Sequence, residues 1–120
     1  MDCEWHSCIK KDLEAVEDAM LSSIASANPE LTEMCDYVLK VQGKRIRPAM
    51  CILVHRACGG TDIDKAINTG AAIELIHNAT LIHDDINDEG ELRRGRKALY
   101  REYALGKSIV TGDYLYAISL

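Results

Sequence analysis

Residues 81–95, LIHDDINDEGELRRG, combine side chains that bind metal ions with side chains that bind anions. Two cations, Arg93 and Arg94, directly follow a group of carboxylates. The carboxylates are Asp84, Asp85, Asp88, Glu89 and Glu91. Runs of charge are commonly solvated surface turns. The alternative is that this segment binds an anion. The acids would then hold a divalent metal ion on one side of that anion, and the arginines would contact its other side.

Helical spacing separates these carboxylates into two groups. Asp84 and Asp88 are four residues apart and point the same way, and His77 continues their stripe toward the N-terminus. Asp85 is rotated by about 100° and is not an equivalent ligand. Two carboxylates one turn apart repel each other unless a cation lies between them. Oxygen ligands suit Mg²⁺, which keeps several waters, whereas Zn²⁺ is expected to recruit His83 or a cysteine.

A second cationic cluster lies in residues 42–48, QGKRIRP. Proline favours the first turn of a helix and disfavours helical conformation in the residue before it, so we expect a helix to begin at Pro48 with Arg47 outside it. Lys44, Arg45 and Arg47 then surround a helix N-terminus, a position that attracts anions. A basic turn that only aids solubility is the alternative. Two cationic clusters and one acidic cluster together favour substrates with highly charged heads, such as diphosphates.

The elements that position these clusters are predicted to be helices, because apolar residues recur at helical spacing and strand signals are almost absent. Asn28 is expected to cap a helix that has Pro29 in its first position, and Gly43 is expected to end it. The five predicted helices cover about 5–25, 29–42, 48–58, 62–88 and 107–120.

The fourth predicted helix is apolar nearly all round from Ala66 to Ile86, which indicates a central, buried helix. Its small residues leave room for close neighbours or for a cavity. These features suit a ligand whose charged head binds at the acidic end of the helix and whose apolar tail lies along the helix toward its N-terminus. A prenyl diphosphate is such a ligand. The last helix is apolar up to Leu120, so we expect the chain to be the front part of something larger.

Composition excludes several other classes of protein. The chain has 120 residues, which suits a single domain over residues 1–120, and its net charge of −5 argues against a nucleic-acid partner. No apolar run approaches the length of a transmembrane segment, and the N-terminus does not resemble a signal peptide. The five cysteines are odd in number and scattered, which favours reduced thiols in a cytosolic protein.

Three stretches together resemble the trans-isoprenyl diphosphate synthase (polyprenyl synthetase) family, which includes geranylgeranyl and farnesyl diphosphate synthases. They are QGKRIRP, ELIHNATLIHDDINDEGELRRG and TGDYLYA, from Gln42 onward. The resemblance implies an all-α fold: the antiparallel helices of the isoprenoid synthase fold, with this chain as the front half of the bundle. It also implies Mg²⁺ as the cofactor. The implied substrates are isopentenyl diphosphate and an allylic prenyl diphosphate, joined by head-to-tail condensation.

The resemblance also implies roles for individual residues. Asp84, Asp85 and Asp88 correspond to the first aspartate-rich motif, in which Asp84 and Asp88 are the Mg²⁺ ligands. Arg93 is expected to contact the allylic diphosphate. The diphosphate of isopentenyl diphosphate is expected to bind Lys44, Arg47, His77 and Arg94.

Product length in this family is set by the residues just before the first aspartates, which here are Ala79 and Thr80. The absence of an aromatic side chain at these positions resembles synthases whose products exceed fifteen carbons, and we predict a geranylgeranyl diphosphate-type product. Ile76 can still close the cavity more deeply.

The sequence departs from the family pattern at two places, and these departures lead to more than one hypothesis about function. Gln42 stands where the family commonly has glycine, and the second aspartate-rich motif of the family lies downstream of the position of Leu120. We expect either part of a synthase or a short non-catalytic subunit that regulates a longer synthase, acting as a homodimer or a heteromer. A plain helical interaction domain is the third hypothesis, and it must treat the three motifs as coincidence.

Overall fold

The computed structural model describes residues 4–41 and 43–120, and the prediction about Gln42 lies outside them. A 3-10 helix, Glu4–Ile9, leads into α1, Lys10–Ser23. Three longer helices follow: α2, Pro29–Leu39; α3, Ile46–Ala57; and α4, Ile63–Asn87. A hairpin of β1, Leu92–Arg93, and β2, Arg96–Lys97, precedes α5, Leu99–Glu102, and α6, Leu105–Ser119. The all-α prediction is confirmed, apart from this hairpin.

The second helix begins where the sequence predicts. The side-chain oxygen of Asn28 accepts hydrogen bonds from the backbone N–H groups of Glu30 and Leu31. Pro29 follows as the first helical residue, where its missing N–H costs nothing. The predicted stop at Gly43 is wrong, because α2 already ends at Leu39.

The predicted start of α3 is also wrong, since the helix begins at Ile46 and Arg47 is helical. Pro48 is the third helical residue, and the N–H groups of a first turn have no acceptor inside the helix. Pro48 is buried against Gly70 of α4, where an added Cβ would lie 3.4 Å from it. Arg45 precedes the helix in the left-handed region, with φ 50° and ψ 36°.

The central position predicted for the fourth helix is confirmed. Helix α4 packs against α1, α3 and α6. Gly112 allows α6 to pack directly against His83 of α4, because a Cβ at position 112 would overlap the ring of His83. Within the described residues, no helix combines the length and the hydrophobicity of a transmembrane segment.

The hairpin after α4 was not predicted. Leu92 pairs with Lys97 and Arg93 with Arg96, so Arg94 and Gly95 form a two-residue turn. Both turn residues have positive φ, at 52° and 78°, as expected for a tight hairpin turn. The sequence offers Arg-Gly in place of the usual Asn-Gly or Asp-Gly, and strands of two residues are too short to produce an alternating pattern.

Contacts with α2 hold the hairpin in place. The Tyr37 hydroxyl donates a hydrogen bond to the carbonyl oxygen of Lys97 at 2.8 Å. The guanidinium of Arg96 lies over the Tyr37 ring, 3.8 Å from its centroid, and donates to the Tyr37 carbonyl oxygen. These contacts fix the position of the two arginines that come just before, Arg93 and Arg94.

Candidate functional site

Three elements that are distant in the sequence meet at one surface pocket of about 550 Å³. They are the N-terminus of α3, the middle of α4 and the turn of the hairpin. The lining residues are Gly43, Lys44, Arg45, Ile46, Arg47, Glu74, His77 and Arg94. The pocket therefore contains all the residues predicted to hold the isopentenyl diphosphate head: Lys44, Arg47, His77 and Arg94.

Positive charge predominates in this pocket. Burial lowers the pKa of Arg94, and the neighbouring Arg45 lowers it further. Burial also lowers the pKa of His77, as does Arg47, while Glu74 acts in the opposite direction. These directions mean that a further positive charge is unfavourable until an anion neutralises the pocket. His77 is accordingly neutral at pH 7.

The guanidinium of Arg94 lies directly over the backbone of Gly43. Its Nη1 donates a hydrogen bond to the carbonyl oxygen of Val41 at 3.2 Å. A Cβ at position 43 would lie 2.8 Å from Nη2 and 2.9 Å from Cζ of Arg94, so any side chain there would displace the guanidinium. Glycine at this position therefore allows Arg94 to reach the pocket.

Arg93, the neighbour of Arg94, points to a different site. Its Nε donates to Oδ2 of Asp85 at 3.1 Å, and its Nη2 donates to Oδ1 at 2.5 Å. This two-point contact raises the pKa of Arg93. Asp85 is only 8% exposed. Helical spacing already separates Asp85 from the other two aspartates, and in the structure its carboxylate is engaged with the protein.

Asp84 and Asp88 are both exposed at the C-terminal end of α4. Among the described residues, neither carboxylate takes part in a hydrogen bond or ion pair. Nor do three His, Cys, Asp or Glu side chains cluster as metal ligands anywhere in residues 4–41 or 43–120. Two carboxylates one turn apart nevertheless fit Mg²⁺, which in proteins is commonly held by one or two carboxylates together with water and substrate phosphate oxygens.

Comparison with known proteins assigns the chain to a family. The family model for polyprenyl synthetase matches residues 28–120. The chain belongs to this family.

Curated relatives within the polyprenyl synthetase family differ in their products. The chain is 38% identical to heptaprenyl diphosphate synthase component 2 of Geobacillus stearothermophilus, covering 96% of this chain and 36% of the relative. It is 40% identical to geranylgeranyl pyrophosphate synthase of Geoglobus acetivorans, covering 91% of this chain and 34% of the relative. The chain thus spans about a third of the length of these synthases.

Solved structures agree on the fold of the polyprenyl synthetase chain. A decaprenyl diphosphate synthase from Rhodobacter capsulatus superposes with a TM-score of 0.89 at 31% identity, over 95% of this chain and 35% of that one. A polyprenyl synthase from Caulobacter crescentus, complexed with calcium and isoprenyl diphosphate, gives a TM-score of 0.89 at 31% identity, over 95% and 34%. The helices of this chain therefore adopt the isoprenoid synthase fold.

One face of α4 is accessible to solvent in this polyprenyl synthetase chain. Ile73, Thr80 and Asp84 lie within about 40° of one another around the helix. Ile73 is exposed and Thr80 is half-buried. Ala79 points elsewhere and is fully buried in the core. Of the two residues predicted to limit product length, Thr80 is the one that lies on the accessible face that leads to Asp84.

The part played by Glu74 was not predicted from the sequence, nor was the direction of the Arg45 side chain. Arg45 precedes the N-terminus of α3, as expected, but its side chain is 9% exposed and turned inward toward Glu74. Glu74 is itself 2% exposed. A signal was present in the sequence, because a single carboxylate within the apolar run AAIELI indicates a buried acid that needs a charged partner.

Proposed function

We propose that this chain supplies one half of the active site of a prenyl diphosphate synthase that condenses isopentenyl diphosphate with an allylic prenyl diphosphate. The supporting observation is that a cationic pocket and a pair of aspartates lie on one helix. The pocket is at the middle of α4, and the two aspartates, which make no hydrogen bond or ion pair to the described residues, are at its end. Two substrates with diphosphate heads account for both, whereas a solvated turn accounts for neither.

The isopentenyl diphosphate head is proposed to bind in the cationic pocket. Lys44, Arg47 and Arg94 supply charged N–H donors there, which make the stronger class of hydrogen bond to phosphate oxygens. His77 adds a donor at the α4 wall. Because these side chains come from three different elements, they restrict the orientation of the head, and this restriction lowers the entropic cost of bringing two substrates together.

The allylic diphosphate is proposed to bind at the C-terminal end of α4. Asp84 and Asp88 would hold Mg²⁺ there, and Arg93 would contact the same diphosphate. When bound, Mg²⁺ acts as a Lewis acid on the departing diphosphate. Arg93 then stabilises the negative charge that grows on the diphosphate oxygens as the carbon–oxygen bond breaks. Asp85 holds the guanidinium of Arg93 beside this position.

The prenyl tail is proposed to lie on the accessible face of α4, past Thr80 toward Ile73. A small side chain at position 80 leaves room for a tail longer than fifteen carbons, and on this basis we propose a geranylgeranyl-type product. The relatives include geranylgeranyl, heptaprenyl, nonaprenyl and decaprenyl synthases, so product analysis decides the length.

Calorimetric titration of the purified chain tests the binding assignments. We expect isopentenyl diphosphate to bind with or without Mg²⁺, and geranyl diphosphate to bind only with Mg²⁺. Equal binding of geranyl diphosphate in the presence of a chelator would contradict the assignment of Asp84 and Asp88 as metal ligands. Failure of isopentenyl diphosphate to bind under any condition would contradict the assignment of the pocket.

A second candidate function is that of one component of a two-chain synthase, as a homodimer or a heteromer. Two relatives are named heptaprenyl diphosphate synthase component 2, from Geobacillus stearothermophilus and Bacillus subtilis. Incubation with isopentenyl diphosphate, Mg²⁺ and a series of allylic diphosphates separates the two candidates. Chelator-sensitive product from this chain alone supports an active site assembled between two copies of the chain. Binding without product supports a chain that needs the rest of a longer synthase or a different partner chain.

A further inference from the structure

The loop between α2 and α3 passes through an unusual backbone conformation at Arg45. With φ 50° and ψ 36°, Arg45 occupies the left-handed region, which residues other than glycine, asparagine and aspartate seldom adopt. Such a conformation persists only where the surrounding structure enforces it, and it is concentrated at functional sites. Here it lies between Lys44 and Arg47, two of the residues that line the cationic pocket.

Contacts with three different helices enforce this conformation. Nη1 of Arg45 donates to Oε1 of Glu74 on α4 at 2.9 Å, and Nη2 donates to the carbonyl oxygen of Leu39 on α2 at 2.9 Å. Nε donates to the carboxylate of Glu17 on α1. The planar, five-donor guanidinium is the side-chain group that can satisfy three directions at once, and a lysine ammonium cannot reproduce that geometry.

Glu74, the partner of Arg45 on α4, carries a negative charge that is unfavourable in a pocket that binds anions. It lines the cationic pocket and is 2% exposed, and its Oε2 has no hydrogen-bond partner among the described residues. A negative charge at this position repels a diphosphate. Burying a carboxylate with one oxygen unpaired also destabilises the fold, unless the other oxygen makes a valuable contact. That contact is the one with Arg45.

We propose that Arg45 and Glu74 are positioning residues that fix residues 43–47 so that Lys44 and Arg47 face the pocket. Glu74 then increases the affinity for a diphosphate through Arg45, despite its own charge. This inference rests on the proposed function of the pocket as the isopentenyl diphosphate site. It adds to that function a buried ion pair that organises the site and touches no substrate.

Replacing Glu74 by glutamine distinguishes two roles for its carboxylate. Repulsion of the anion and positioning of the loop predict opposite changes in pyrophosphate affinity. If Glu74 acts only through its negative charge, E74Q binds inorganic pyrophosphate more tightly than wild type. If it positions the loop, E74Q binds pyrophosphate about tenfold more weakly, the size of one lost charge-assisted hydrogen bond. R45K is also expected to bind about tenfold more weakly, although it keeps the positive charge. Unchanged affinity in R45K together with tighter binding in E74Q would overturn the inference.

Glu17 provides a variant that leaves the pocket untouched. Its side chain is 36% exposed and does not line the pocket, so E17Q is expected to fold even if E74Q does not. Positioning predicts that E17Q weakens pyrophosphate binding about threefold, because Arg45 loses one of its three anchors. Unchanged or tighter binding in E17Q would count against positioning. R56K is the matched control, since it alters a surface pair, Arg56–Asp12, away from the pocket.

Amide NMR spectra without any anion separate the inference from the function on which it rests. We expect E17Q and E74Q to shift the amide signals of Gly43, Lys44 and Arg47, while R56K leaves them unchanged. Unshifted loop signals overturn the positioning role whether or not pyrophosphate binds. Shifted loop signals in a chain whose wild type binds neither pyrophosphate nor isopentenyl diphosphate support the positioning of the loop and contradict the proposed function of the pocket.

Discussion

The cationic pocket and the aspartate end of α4 lie on the same helix but differ in how the protein holds their side chains. In the pocket, Arg94 is held over Gly43 by the carbonyl oxygen of Val41. At the helix end, Asp84 and Asp88 project without hydrogen bonds or ion pairs to the described residues. Protein contacts fix the side-chain geometry of the first region, whereas the described residues leave the two carboxylates of the second region without a fixed partner.

This difference has a physical cause. A cation can be fixed by a backbone carbonyl oxygen, as Arg94 is, and still keep N–H donors for a ligand. A carboxylate that is to receive a metal ion must keep its oxygens available, so protein contacts would compete with the ion. Arg93 shows an intermediate arrangement, because Asp85 orients its guanidinium while one side remains accessible.

The largest effect is expected from Asp84→Ala at the aspartate end. We expect it to abolish Mg²⁺-dependent binding of geranyl diphosphate, because it removes one of the two carboxylates that are proposed to hold the ion. Pyrophosphate binding in the cationic pocket should stay unchanged, and the free energy of unfolding should change by less than about 0.5 kcal/mol. Calorimetry and urea denaturation measure both quantities.

Asp18→Ala is the matched control for Asp84→Ala, since Asp18 is an exposed aspartate on α1. It should leave both ligands bound as in wild type. If Asp84→Ala weakened pyrophosphate binding as strongly as geranyl diphosphate binding, the two regions would not be independent and the comparison between them would fail.

An intermediate effect is expected from Gly43→Ala in the cationic pocket. The new Cβ displaces the guanidinium of Arg94, whose end is flexible enough to move, so stability should change little while pyrophosphate binding weakens about fivefold. Gly106→Ala is the control. No atom lies within 4 Å of a Cβ at that position, and there we expect a gain of about 0.5 kcal/mol in unfolding free energy with unchanged pyrophosphate affinity. Equal affinities in the two alanine variants would refute the preformed position of Arg94.

The smallest effect concerns the pH dependence of the pocket. The pKa of His77 lies below its usual value through burial and the charge of Arg47, with further lowering by Arg94 and Arg93 and opposition from Glu74. A bound diphosphate raises that pKa, so binding takes up a proton, and affinity must increase as the pH falls through the pKa of the complex. In the free protein, the unfolded chain binds this proton more readily than the folded chain does, so stability decreases as the pH falls below about 6.5.

Comparison of wild type with His77→Gln isolates the contribution of His77 to the pH dependence of pyrophosphate affinity. Pyrophosphate itself titrates in the same pH range, but its effect is the same for both proteins and cancels. We expect wild type to gain about threefold more affinity than His77→Gln between about pH 8 and about pH 6. Parallel pH profiles for the two proteins would show that His77 stays neutral when the anion binds.

The helices were predictable because their signals are local. Asn28 and Pro29 mark the start of α2, and the apolar run of α4 identifies the central helix. The hairpin was not predictable in this way, because its turn uses Arg-Gly and its strands are two residues long. The start of α3 at Ile46 was misplaced because the packing of Pro48 on Gly70 is a tertiary contact.

The membership of the cationic pocket followed from motifs, but the contacts within it did not. Arg45 and Glu74 are 29 residues apart, and nothing in the local pattern of QGKRIRP separates the inward Arg45 from the outward Lys44 and Arg47. The contact between Asp85 and Arg93 depends on the path of the unpredicted hairpin. Side-chain direction at a helix entrance is set by tertiary partners, which sequence spacing alone does not report.

The two-residue turn at Arg94 and Gly95 has a consequence for the evolution of this segment. Arg93 and Arg94 are adjacent, yet one guanidinium reaches Asp85 and the other reaches Val41. Inserting or deleting a single residue between Asp85 and the turn would move each arginine to the opposite face of the ribbon. Surface loops ordinarily tolerate such length changes. Under the proposed function, the length of this segment would keep the two arginines directed at different diphosphates, and we expect related chains to keep both the hairpin length and its two arginines.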